Sequence, residues 1–162
     1  MAERFYIAVI GGADCSQEEE LLAYNTGKII AERNGTVICG GGSGVMEAAA
    51  RGAREANGNV IGILPGMDHR QGNSYLTDAV ATGLGEARNA VITRTADVVI
   101  AIGGEYGTLS EIALALKMRK RVIGLKTWMI KPSQAIQDGI IKAATPKEAV
   151  ELALKNCLKE FN

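Results

Sequence analysis

Short runs rich in Val and Ile alternate along the chain with longer stretches whose apolar residues recur at helical spacing, and glycines mark most of the joins. Residues 4–12 (RFYIAVIGG) read as a buried strand ending in a glycine turn. Residues 16–35 follow as a helix with Leu21, Leu22, Ile29 and Ile30 on its apolar face. Ser16 and Glu19 supply a capping box at its start, and Gly35 closes it. The same pattern predicts a strand over 36–42, an Ala-rich helix over 44–58 and a strand over 59–65. Residues 66–78, with Gly, Asn, Asp and Ser but no apolar period, read as a surface loop. A brief strand at 79–83, a helix at 86–96, the most buried strand at 97–104, a helix at 108–120 and a strand at 121–125 come next. Thr145, Pro146 and Glu148 begin an amphipathic helix over 145–161, with proline at the first helical position.

Alternating strands and helices, with strands apolar on both faces, imply a mostly parallel sheet covered on each side. The expected architecture is a doubly wound, Rossmann-like α/β domain, a single unit over residues 1–162. Apolar residues make up 47% of the chain and charged residues 22%, the balance of a globular protein. Eighteen basic and 18 acidic side chains cancel, so the totals carry no nucleic-acid footprint. The basic run KMRKR (117–121) suits a solvated helix end. No signal-peptide pattern or membrane-length apolar stretch is visible, and Cys15, Cys39 and Cys157 form no C-x-x-C pair, so the expectation is reduced thiols in the cytoplasm, with no membrane partner. His69 is the sole histidine, which leaves a metal site poorly supplied.

In a parallel sheet every strand-to-helix turn lies at the carboxyl edge. Gly11 and Gly12 follow the first strand, and Gly40, Gly41, Gly42, Ser43 and Gly44 follow the second. Gly103, Gly104 and Gly107 follow the strand at 97–104. Helix N-termini and unobstructed amides there favour an anion. The dinucleotide pattern G-x-G-x-x-G fails at GGADCS and ends in Val45 at GGGSGV, and no G-x-x-x-x-G-K-[ST] stretch exists. A ligand the size of a mononucleotide phosphate suits these turns better than NAD or a nucleoside triphosphate.

Two charged residues arrive at the same edge. Thr108-x-x-Glu111 matches a helix capping box, and the same glutamate is equally placed to face a ligand. Arg88, in the first turn of the helix at 86–96, opposes that helix's dipole, so helix stability does not account for it. A guanidinium beside a phosphate and a carboxylate does. A plain surface arginine is the other reading.

The stretches CGGGSGVMEAA (39–49) and ARNAVITRTADVVIAIGGEYGTLSE (87–111), in that order, resemble the LONELY GUY-type phosphoribohydrolase superfamily, also labelled lysine decarboxylase, and in particular a bacterial branch similar to molybdenum-cofactor carrier proteins. The resemblance is clearest over residues 5–125. It implies that Arg88 and Glu111 are catalytic, and that Gly11, Gly12, Gly41, Gly42, Ser43, Gly44, Asn89, Gly104, Gly107 and Thr108 hold the substrate and its phosphate. Three positions depart from the family's P-G-G-x-G-T-x-x-E and R-K patterns: Gly103 stands for the proline, Glu105 for the second glycine and Asn89 for the lysine. An inward-pointing Glu105 would weaken phosphate binding.

The implied reaction is hydrolysis of the N-glycosidic bond of a nucleoside 5′-monophosphate, giving free base and ribose 5-phosphate, with no cofactor and no metal. The alternative implied by the carrier branch is retention of a phosphorylated cofactor such as molybdenum cofactor without turnover. The expected partners are that small molecule and further copies of this chain, as a homo-oligomer (dimer or tetramer), with the Ala- and Leu-rich face of 111–118 as one contact. Trp128 reads as packing or subunit contact, Met46 as core filler, and His69 with Arg70 as loop residues able to cover a ligand but outside the site. Nothing marks a Schiff-base lysine, so the decarboxylase label is set aside.

Overall fold

The structure is a computed structural model that describes residues 4–131 and 139–157, the side chains of 156 and 157 excepted. Seven strands form one parallel sheet: β1 (Tyr6–Gly11), β2 (Thr36–Cys39), β3 (Asn59–Leu64), β4 (Asp78–Ala81), β5 (Val98–Ile102), β6 (Val122–Leu125) and β7 (Ile140–Lys142). Their order across the sheet is β4-β3-β2-β1-β5-β6-β7. The helices are α1 (Gln17–Glu32), α2 (Val45–Glu55), α3 (Asn89–Thr95), α4 (Tyr106–Lys117) and α5 (Pro146–Cys157).

The doubly wound α/β reading holds, and its physical reason is visible in the strands. Val98–Ile102 is buried at every position, and successive side chains feed opposite faces. Ile7, Val9, Val37, Ile100 and Ile102 pack with alanines of α1, α2 and α5 on one face. Ala8, Ile10, Ile38, Val99 and Ala101 pack with Ile92 of α3 and Ile112 and Ala115 of α4 on the other. Each isoleucine so buried contributes on the order of 2 kcal/mol. On the first face α1 and α2 approach closely because Gly27 and Gly52 present bare backbone. A Cβ on Gly27 would overlap the carbonyl of Ala49, and one on Gly52 the carbonyl of Tyr24.

Three local expectations are refined. The helix expected at 108–120 starts at Tyr106, with Glu105 as its N-cap. The helix expected at 86–96 is a 3-10 turn, Gly85–Arg88, leading into α3. The loop at 66–78 contains a 3-10 turn, His69–Gln71, capped by Asp68. The strand β7 lies in a stretch with no sequence assignment. Ser16 and Glu19 make the reciprocal capping bonds of α1. At α5 Thr145 Oγ1 accepts from Glu148 N–H at 3.2 Å, but Glu148 accepts from Ala144 N–H, one residue before the cap. The expected end of that helix, residues 158–161, lies outside the described residues. No described helix is long and apolar enough to cross a membrane.

The order of the strands fixes where a ligand can sit. From β1 the chain winds outward through β2, β3 and β4, then returns to the other side of β1 for β5, β6 and β7. β1 therefore pairs with β2 through Ile7↔Val37 and with β5 through Ile7↔Val98. The turns leaving β1 and β5 diverge to opposite faces and leave a crevice at the carboxyl edge between them.

Candidate functional site

A cavity of about 320 Å³ opens in that crevice. Its wall from β1 is Ile10–Asp14, and its wall from β5 and α4 is Glu105, Gly107, Thr108 and Glu111. Gly40, Met46, Pro65, Gly85, Glu86, Arg88 and Asn89 complete it. Arg88 and Glu111, 23 positions apart in sequence, thus line one cavity.

The helix start decides what Glu111 does. With Glu105 as N-cap, Glu111 lies a turn deeper in α4 than a capping glutamate would, and its side chain faces the cavity floor. It is 6% exposed and its carboxylate receives no hydrogen bond from any described residue. The capping-box reading of Thr108 and Glu111 is therefore corrected. Burial pushes the carboxyl up to about 7, and the positive charge of Arg88 pulls the other way without cancelling it. No oxygen of Glu111 lies within 4.0 Å of an Arg88 nitrogen, so the two charges face the same space without pairing.

Arg88 is fixed from below and beside. Its Nη1 donates to Asn89 Oδ1 at 2.6 Å, and Asn89 Nδ2 donates to Ser110 Oγ at 3.0 Å. The guanidinium lies over the backbone of Gly40, where a Cβ would come within 2.9 Å of both Nη atoms and 2.7 Å of Met46 Sδ. Its Nε is buried without a partner. An unmet buried donor costs roughly 1–3 kcal/mol, which an anionic ligand would offset. At α4 the first intrahelical-type bond runs from Leu109 N–H to Glu105 O at 2.9 Å, so the amides of Gly107 and Thr108 precede the ladder at a wall of the cavity. Cys39, at the end of β2, is fully buried, and burial drives its thiol up to about 11, which leaves it protonated and unsuited as a nucleophile.

The predicted ligand-holding residues divide. Gly11, Gly12, Asn89, Gly107 and Thr108 line the cavity together with Arg88 and Glu111. Gly41, Gly42, Ser43, Gly44 and Gly104 are not among the lining residues. Gly41 backs onto Leu64 and Leu76, Gly44 lies on the carbonyls of Gly12 and Ala13, and Gly104 lies against Thr108. The carbonyls of Gly41 and Gly42 accept from Asn73 N–H and Nδ2, and Ser43 Oγ donates to Ala13 O. Glu105 is exposed at the cavity mouth, with its carbonyl accepting from Trp128 Nε1 at 3.3 Å. The Trp128 ring stacks at a tilt on Tyr106, centroids 5.8 Å apart. His69 and Arg70 do not line the cavity, and Arg70 is paired with Asp68.

Sequence reasoning left several lining residues out of the site, and one supporting residue. Met46, read as core filler, lines the cavity with Gly40, Asp14 and Glu86. Ser110 supports Arg88 through Asn89. The signal available for Gly40 was its place between a buried strand and a helix start. Ser110 carried none.

The chain is 40% identical over 153 residues to an uncharacterised protein of Archaeoglobus fulgidus, covering 94% of this chain and 97% of that one. It is 32% identical over 87 residues to a cytokinin riboside 5′-monophosphate phosphoribohydrolase of Arabidopsis thaliana, spanning 52% of this chain and 38% of the enzyme. Among solved structures it is similar to the molybdenum cofactor binding protein of Rippkaea orientalis, with TM-score 0.88, 34% identity and coverage of 98% of this chain and 100% of that one. The resemblance read from the motifs agrees with the matches to the phosphoribohydrolase and to the molybdenum cofactor binding protein. The family model described as the SLOG cluster4 family matches residues 4–150, and the chain belongs to that family.

Proposed function

We propose that the switch-point cavity binds a nucleoside 5′-monophosphate and that the protein hydrolyses its N-glycosidic bond. The observation that carries this reading is Glu111: a carboxyl lining the cavity that receives no hydrogen bond from any described residue and is pushed up to about 7 by burial. A carboxyl that titrates near neutral pH is suited to take a proton from water. Its anionic form also stabilises positive charge developing on the sugar.

In this mechanism the phosphate lies on the amides of Gly107 and Thr108, with Arg88 completing its charge balance. Arg88 Nε gains the acceptor that it lacks. Glu111 orients a water toward the anomeric carbon and accepts its proton as the new C–O bond forms. The C–N bond breaks, its electron pair leaves with the base, and the base takes up a proton. The similarity to the Arabidopsis phosphoribohydrolase supports the same class of substrate. The test is incubation of the purified protein with AMP and the other common nucleoside 5′-monophosphates, with base release followed. Base release that is lost in Glu111→Ala is the expected result. No release from any of them, with Glu111→Ala behaving as wild type, ends the proposal.

A second reading is favoured by a different observation. The likeness to the Rippkaea orientalis molybdenum cofactor binding protein runs over nearly the whole chain, whereas the match to the hydrolase covers about half of it. In that reading the same anion-binding wall retains a phosphorylated cofactor and Glu111 has no turnover role. Native mass spectrometry of freshly purified protein separates the two: a retained pterin-sized ligand favours the carrier.

A further inference from the structure

We infer that Asn89 and Ser110 form a positioning relay that fixes the guanidinium of Arg88 against the first turn of α4. Asn89 is 8% exposed, so its amide must be satisfied by protein groups. A guanidinium can only donate, so the amide oxygen is the atom that meets Arg88. The amide nitrogen is then left to donate, and it meets Ser110 Oγ. Ser110 Oγ, accepting from Asn89, passes its own proton to Gly107 O at 2.6 Å. The three hydrogen bonds of the chain run in one consistent sense, each group accepting from one neighbour or donating to the next. The relay begins at a cationic group in the cavity and ends on the carbonyl of a residue whose backbone forms the opposite wall.

This assigns Asn89 a role that a ligand-contact reading misses: it holds Arg88 rather than the substrate. It also explains how Arg88 keeps its place without an ion pair to Glu111. The charged and titratable groups facing Glu111 are Arg88 from the 3-10 turn and the buried Cys39 thiol from β2, with Asp14, Glu86 and Glu105 elsewhere on the cavity wall. Arg88 is the one cation among them. A displaced guanidinium therefore leaves Glu111 with less opposing charge, and its carboxyl should titrate higher.

The inference rests on the nucleotide reading for its binding arm alone, and a ligand-free arm keeps the two separable. The full chain is prepared as wild type, Arg88→Ala, Ser110→Ala and Ser110→Thr. The Glu111 carboxyl is titrated by carbon-13 NMR, and AMP affinity is measured by calorimetry. Arg88→Ala is expected to raise the Glu111 midpoint and weaken AMP binding. Ser110→Ala should move both in the same direction by less, with AMP affinity falling about threefold to tenfold, the worth of one hydrogen bond. Ser110→Thr keeps the hydroxyl and should restore both. A Ser110→Ala midpoint and affinity equal to wild type, while Arg88→Ala shifts them, overturns the relay and leaves the function proposal standing. If no form binds AMP, the nucleotide reading fails and the carboxyl titration decides the relay by itself.

Discussion

Two glycine-rich turns look interchangeable in sequence, CGGGSG after β2 and IGGEYG after β5, yet they serve different neighbours. The first is packed by protein on nearly every side. Leu64 and Leu76 press on Gly41, the carbonyls of Gly12 and Ala13 on Gly44, and the guanidinium of Arg88 on Gly40. The second opens onto the cavity at Gly107, where a Cβ would meet nothing within 4 Å. Glycine density marks close approach in both cases. In the second turn Gly103 and Gly104 also meet protein, at Glu19 and Thr108, and Gly107 alone faces open space.

The sharpest way to break this contrast is Gly44→Ala. Gly44 combines a φ of 65° with backbone carbonyls on the site of a Cβ, and backbone cannot swing aside as a flexible side chain can. Strain and overlap together should cost about 3 kcal/mol or more. Urea denaturation measures it. A loss below about 1 kcal/mol would show that this turn yields, and that its glycines are not there for packing.

Next in size is a pH-dependent effect at the second turn. Glu111 has a folded-state pKa of about 7 against 4.5 for an ordinary glutamate. Folded protein therefore binds the extra proton between those values, and stability is lost as pH rises through them. Glu111→Gln removes the buried charge. It should be nearly neutral at pH 4 and stabilising by at most about 3 kcal/mol at pH 8, less whatever polar contact the amide forfeits. Paired denaturation curves at the two pH values check the sign. In the hydrolase reading, wild-type base release rises with pH through about 7 as Glu111 ionises, and the glutamine variant loses it.

How far the sequence carried these conclusions varies with the kind of signal. The strand–glycine–helix rhythm was legible because buried parallel strands leave long Val/Ile runs. The meeting of Arg88 and Glu111 followed from the same topology, since both precede or follow β5 at its carboxyl edge. Side-chain direction was less legible. Thr108-x-x-Glu111 imitates a capping box, but with Glu105 as the N-cap Glu111 is not a capping residue, and it lines the cavity. Ser110 meets Asn89, a contact no local pattern announces. β7 escaped notice because three residues ending in a lysine at a sheet edge carry too little periodicity.

Gly40→Ala tests where the two turns meet. The added methyl falls 2.9 Å from both Nη atoms of Arg88, so the guanidinium must lift away from β2 or Met46 must yield first. Met46 Sδ is already 2.7 Å from the same point, and both groups are side chains, so the fold should survive. AMP affinity should fall by about tenfold to a hundredfold, equal to roughly 1.4–2.8 kcal/mol. An unchanged melting temperature with lost affinity would show that a residue of the packed turn shapes the cavity without holding up the fold.

The smallest expected effect is Gly107→Ala, and it discriminates most cleanly between packing and binding. The new methyl meets open space, and alanine within the first turn of α4 is a better helix former than glycine by about 1 kcal/mol. Packing alone therefore predicts unchanged or slightly raised stability. If the amides of Gly107 and Thr108 hold a phosphoryl group, the same methyl intrudes on the ligand's approach and AMP affinity should fall by a few-fold, under about 1 kcal/mol. A gain in melting temperature joined to a loss in affinity is the signature of a glycine kept for a ligand. Equal affinity in the two forms would move the anion away from this wall and toward the guanidinium of Arg88.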